Sequence, residues 1–230
     1  GPALRRAGGA PIVAPRDRQA GGTWLGVNAQ GLFAGVLNRP TERPDPERRS
    51  RGLLVLDALR ARTACEAAES LRRLPGGAYN PFNLFLGDGV DAFAIVYKES
   101  PDVSELGPGP HVLGNADPDS RRVPKLARLF ERTERLASRS AKEAADGLVG
   151  LCRTHAADPD PRQSVCVHAG PYGTRSSAVL VLAERPGERV FRFADGPPCT
   201  SEYEDFTHLL NELETVSRAE RDDTNVRKAT

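Results

Sequence analysis

The sequence predicts an α+β fold with antiparallel sheets, on three observations. Apolar strand-like runs come in pairs around glycine turns, as hairpins do. Helical patterns fall in separate blocks instead of alternating with single strands, which argues against a parallel sheet. Three apolar runs near the C-terminal end recur at even spacing and read as a meander. With no internal repeat and no linker, residues 1–216 read as a single domain whose helices cover sheet faces. Residues 217–230 read as a charged, disordered tail.

The opening, Gly1-Pro2-Ala3-Leu4-Arg5-Arg6-Ala7-Gly8-Gly9, lacks the apolar core of a signal peptide and reads as the middle of a loop. The chain contains no methionine, so the expectation is that its natural start lies upstream. Thr23–Asn28 and Leu32–Leu37 are strand-like and joined by Ala29-Gln30-Gly31, with Gly31 in the left-handed position. Thr41–Arg51, rich in proline and charge, reads as an exposed loop. Leu56, Leu59, Ala67, Leu71 and Leu74 give Leu53–Leu74 the pattern of one helix, closed by Pro75-Gly76-Gly77. Phe82–Leu86 and Ala92–Tyr97 flank the turn Gly87-Asp88-Gly89. A short strand at His111–Leu113 precedes amphipathic helices at Val123–Leu136 and Ala141–His155, the second ending before Asp158-Pro159-Asp160-Pro161. The meander comprises Ser164–His168, Ala178–Ala183 and Arg189–Phe193. Glu202–Val216 fits a strand or a helix, and Leu209, Leu210 and Leu213 favour helix.

Composition narrows the function classes. Net charge is +1, so no global field draws nucleic acid or lipid headgroups. Four lysines among 32 basic residues leave 28 arginines, scattered among 31 acids instead of clustered on a binding face. The longest apolar run, Ala178–Ala183, is far short of the roughly 18 residues of a membrane span. Cys65, Cys152, Cys166 and Cys199 include no C-x-x-C pair, and the four histidines show no ligand spacing; buried, reduced thiols in a cytoplasmic protein are expected, with no metal.

Three stretches set polar side chains beside glycines next to apolar runs: Ala20–Gly26 running on to Asn38, His111–Ala116, and Gly170–Ser176. An amide or guanidinium at a strand end beside flexible backbone can point into a cleft and polarise a carbonyl or an anion. Read singly, Asn38 and Asn115 also suit turn asparagines, Arg175 a solvated charge at a strand start, and Trp24 a core residue or a cleft wall. No G-x-S-x-G elbow occurs. Cys166 and His168 would face one side of a strand, an arrangement that also suits packing.

Together, Gly21–Gly26, Ala34–Asn38, Tyr79-Asn80-Pro81-Phe82-Asn83-Leu84, Leu113–Ala116 and Tyr172–Ser176 resemble the NRDE family, also called the Transport and Golgi organisation protein two family, in order over roughly residues 10–195. The resemblance implies an N-terminal-nucleophile hydrolase-like fold, a four-layer αββα sandwich, and a distant relation to choloylglycine hydrolases and penicillin V acylases. In that group an N-terminal cysteine attacks an amide with its own α-amino group as base. By that resemblance Asn38 donates to the oxyanion, Asn115 orients substrate and nucleophile, and Arg175 favours the thiolate. Gly22, Trp24 and Tyr172 would bind substrate. The family's opening cysteine and Asn-Arg-Asp-Glu signature do not occur in this sequence, so the chain is expected not to turn over substrate. A missing first strand would leave an open sheet edge and favour a homo-oligomer. The rival expectation is a non-catalytic carrier of haem or an acylated, amphipathic metabolite, with no other cofactor; a scaffold role in Golgi organisation is the third.

Overall fold

A computed structural model describes residues 1–228, with side chains to Glu220; the last two residues of the expected tail lie outside the described residues. The chain divides into two compact units. One comprises Pro2–Gly107 together with the segment from His208 onward; the other comprises residues 108–207 with Gly1.

The first unit is built on a seven-stranded antiparallel meander in which every strand pairs with its neighbour in sequence. Its strands are β1 (Ala3–Ala7), β2 (Ala10–Ala14), β3 (Leu25–Asn28), β4 (Phe33–Asn38), β5 (Phe82–Gly87), β6 (Ala92–Tyr97) and β7 (Pro101–Glu105). The opening stretch is therefore a hairpin and not a loop. Gly8 and Gly9, at φ 54° and 93°, make the tight turn that joins β1 to β2, with Ala7 opposite Ala10. Gly31 takes the left-handed conformation expected of it.

Register sets which side chains meet. Phe82, Leu84 and Leu86 on β5 lie opposite Tyr97, Ile95 and Phe93 on β6, and Val36 and Ala34 on β4 lie opposite Leu84 and Leu86. All of these except the partly buried Val36 are buried in one core with Leu54, Val55, Leu59, Ala67 and Leu71. Leu54 and Val55 come from α1 (Arg51–Ala58), Leu59 is the residue that caps its C-terminal end, and Ala67 and Leu71 come from α2 (Ala64–Arg72); the two helices cover this face. Sequence pattern predicts a single helix here; the structure breaks it. Buried Asn28 donates to the carbonyls of Leu59 (3.0 Å) and Ala61 (2.7 Å), and the Thr63 side chain accepts from the Glu66 amide to start a new helix.

The second unit holds α3 (Pro124–Glu134), α4 (Ala141–Cys152), a two-residue hairpin β8 (His168–Ala169) with β9 (Tyr172–Gly173), and a sheet of β10 (Ser177–Val181), β11 (Val190–Ala194) and β12 (Glu204–Asp205). Two expected strands are absent. His111–Leu113 is irregular, organised by Asp119, whose carboxylate accepts from the Val112 amide (2.6 Å) and meets His111 Nδ1 (2.7 Å). Ser164–Val167 follows a 3-10 turn (Pro161–Gln163) and only His168 enters a strand. Helix α5 spans Thr207–Lys228 and so continues through most of the stretch that the sequence suggests is a tail. No helix among the described residues is long and apolar enough to cross a membrane.

Candidate functional site

A cleft of 460 Å³ opens in the first unit around the end of β4. Asn38, the last residue of that strand, is exposed and lines it with Trp24, which is 37% exposed. Two loops complete the walls. In one, Asp17 Oδ1 accepts from the amides of Gln19 and Ala20, which fixes a tight loop leading to Gly22. Gly22 itself is buried beside the cleft, and its missing side chain has a packing reason: a Cβ there would collide with the Gly52 backbone at the start of α1. In the other loop, Asn80 clasps the Asp45 backbone through two hydrogen bonds, 2.9 and 2.7 Å.

Three arginines line this cleft. Arg48 reaches Asp45 (3.6 Å) and the Tyr79 carbonyl (2.9 Å). Arg49 pairs with Asp57 (2.6 Å), and that hydrogen bond raises its pKa despite partial burial. Arg51 donates to the Pro81 carbonyl (3.1 Å) and has no carboxylate partner among the described residues. Burial lowers its pKa from the ordinary arginine value, so desolvation disfavours its charge and an incoming anion would relieve that cost. The cleft thus offers an amide donor, an aromatic wall and an uncompensated guanidinium.

The other residues singled out from sequence lie in the second unit. Exposed Asn115 sits in the loop that Asp119 organises, after a glycine whose Cβ would press on Leu126 of α3. Asp119 is the one non-glycine residue with positive φ (53°) among the described residues. Arg175 follows β9 and donates to the Pro171 carbonyl (3.0 Å), so the glycine-rich turn is partly organised by its own arginine. Tyr172, 63% exposed, lines a separate hollow with Asp160, Pro161, Arg162 and Ala169.

Linear spacing conceals one further group. His155, Cys166, His168 and Cys199 bring their ligand atoms within 4.8 Å of one another. Cys166 is buried, and burial, the largest influence on it, raises its thiol pKa. Cys152 and Cys199 are only partly buried and Cys65 is exposed, contrary to the expectation of four buried thiols. The signal for this group in sequence was the Cys-x-His alternation at 166–168; the partners 155 and 199 carried none.

Residues 3–191 match the family model described as Transport and Golgi organisation 2. The Homo sapiens Transport and Golgi organization protein 2 homolog is 28% identical over 193 residues, covering 72% of this chain and 69% of that protein. The Mus musculus Transport and Golgi organization 2 homolog is 25% identical over the same shares. Among solved structures, penicillin V acylase from Agrobacterium tumefaciens superposes with a TM-score of 0.55 at 16% identity, covering 91% of this chain and 76% of that one. A mutant conjugated bile acid hydrolase from Clostridium perfringens gives 0.51 at 12%, covering 89% and 79%. At these identities the likeness is one of fold: the α+β class with antiparallel sheets, of the N-terminal-nucleophile hydrolase type.

Proposed function

The chain belongs to the Transport and Golgi organisation 2 family, and from that premise we propose that its β4 cleft binds an amide carrying a carboxylate or similar anion, as in amide hydrolysis. The observation that carries the reading is that Asn38 and Trp24 line one cleft with the half-buried Arg51. The Asn38 amide would donate to the oxygen that gains charge when the amide carbon is attacked. Arg51 would take the substrate anion as a fork of two donors, and Trp24 would stack on the acyl part. The family resemblance implies roles for Asn115 and Arg175 as well, but both belong to the other unit and have no part in this reading of the β4 cleft.

The attacking group is a separate matter. None of Cys65, Cys152, Cys166 and Cys199 lines the cleft. These residues therefore account for binding and oxyanion stabilisation, and the 230-residue chain should release no amine from an amide substrate.

Trp24 is the only tryptophan in the chain, so its emission reports on this cleft alone. Titration with penicillin V or a conjugated bile acid should change that emission saturably. Asn38→Ala should weaken binding about tenfold, the worth of one hydrogen bond to a polarised oxygen. Arg51→Gln should weaken the anionic amide and spare a neutral analogue. An unsaturable signal, or affinities indifferent to both substitutions, would remove the cleft from consideration. Haem binding that ignores Asn38→Ala would point to the carrier role instead.

A further inference from the structure

We infer that His155, Cys166, His168 and Cys199 form a tetrahedral zinc site that staples three segments of the second unit. The donor set is two thiolates and two imidazoles, the combination that zinc takes in closed structural sites. Distances fit that geometry. Cys166 Sγ lies 3.5 Å from Cys199 Sγ and 3.6 Å from His168 Nε2, and His168 Nε2 lies 3.1 Å from Cys199 Sγ. A tetrahedron with Zn–S near 2.3 Å and Zn–N near 2.0 Å has edges of about 3.3–3.8 Å. The remaining separations, all to His155, stay within 4.8 Å, and its ring lies tilted over that of His168 with centroids 5.4 Å apart. Closing the fourth position requires the exposed His155 ring to turn inward toward the other three donors.

The backbone around the cluster is fixed by bonds that leave the four donor atoms out. The Thr154 carbonyl accepts from the amides of both Val165 (3.2 Å) and Cys166 (3.1 Å), and Ser164 Oγ accepts from the Ala156 amide (2.9 Å). These bonds hold the segment after α4 against the segment before β8. Gly173 allows β9 to approach the Val167 carbonyl, where a Cβ would be too close at 2.8 Å, and Thr174 bonds the Val167 amide (3.0 Å). The loop carrying Cys199 is held by Arg153, which donates to the Pro198 carbonyl (3.0 Å). Three segments distant in sequence thus arrive with their donors converged, which a chance grouping of surface polar residues does not require.

On binding, Cys166 and Cys199 each release a proton to solvent, two Zn–S and two Zn–N bonds form, and the aqueous ion loses its waters. All four positions are then filled by protein. The site is structural, with no open position for a substrate, and it stands apart from the amide-binding reading of the β4 cleft.

The test uses the full chain under reducing conditions. It should bind one zinc ion that survives gel filtration. With Co²⁺ in its place it should show the intense visible bands of tetrahedral cobalt together with sulfur-to-metal charge transfer. Cys199→Ser and His155→Ala should each weaken zinc by more than about 100-fold, since loss of a ligand exceeds the 10–100-fold effect of its supporting groups. Cys65→Ser, at an exposed thiol outside the cluster, should leave affinity unchanged. His155 is exposed, so its substitution opens no cavity in the core, and a circular-dichroism spectrum matching the parent's assigns its loss of zinc to the missing ligand. Octahedral cobalt spectra, zinc retained equally by both ligand variants, or a Cys166–Cys199 disulfide that persists in reductant with zinc present would each overturn the site.

Discussion

At the scale of single residues, the informative side chains are polar ones in apolar surroundings. Asn28 is 2% exposed yet uses its full capacity: its amide nitrogen donates to Leu59 and Ala61, and its oxygen accepts from the amides of Gln30 (2.9 Å) and Leu32 (3.0 Å). One side chain thus closes the β3–β4 turn and ends α1. Asn28→Ala would leave several buried backbone groups unsatisfied and should cost about 2–3 kcal/mol, read as a lower urea midpoint at unchanged slope. Nothing in the local sequence marks this residue, because an asparagine before Ala29-Gln30-Gly31 also suits an ordinary turn. Asn38 shares that ambiguity; what separates the two is that one ends buried under α1 and the other exposed in a cleft.

At the scale of elements, charge placement at the ends of helices and turns decides local stability. The Asp88 carboxylate, in the β5–β6 turn, accepts from the Ala64 amide at the start of α2 (2.7 Å) and from the Val90 and Asp91 amides (3.0 Å each). Burial by itself would raise this carboxyl; the backbone hydrogen bonds outweigh it and hold the pKa below the ordinary aspartate value. A carboxyl depressed in the fold stabilises above its unfolded pKa of about 3.9 and loses that contribution as pH falls through its folded value. Asp88→Asn should therefore lower the urea midpoint near neutral pH, with the gap to the parent closing as the pH falls through the depressed folded value of this carboxyl. A gap that persists in acid would mean that packing, and not the charge, holds the turn to α2.

At the scale of the whole molecule, the first unit depends on one continuous core. Phe82 stacks on Tyr97 (centroids 5.0 Å apart, planes at 4°) and meets the edge of Tyr79 (6.0 Å), joining β5, β6 and the loop that walls the cleft. Phe82→Ala should cost about 3–5 kcal/mol, a large share of the about 5–15 kcal/mol that a domain possesses. Phe82→Leu refills most of the volume and should cost about 1–2 kcal/mol. Thermal melts of the three proteins give the order directly. Because Tyr79 also receives Arg49 from the cleft wall (2.5 Å), the alanine variant should loosen Trp24 emission as well as lower the melting temperature.

Elements whose pattern is local were legible in the sequence: the β3–β4 and β5–β6 hairpins, α3 and α4, and the family motifs with the fold they imply. Strand alternation and turn glycines act within a few residues, so the chain states them on its face. The opening hairpin was missed because Gly8-Gly9 sits between two short strands, one carrying Arg5 and Arg6 and the other Pro11, and the second partner of β2, β3, lies further along. The break between α1 and α2 depends on Asn28, more than thirty residues away from Ala61. Likewise, a grouping of His155, Cys166, His168 and Cys199 exists only once α4, β8 and the loop after β11 are packed. Local periodicity fixes which elements form; only burial and long-range hydrogen bonding decide where they stop and which distant side chains share a site.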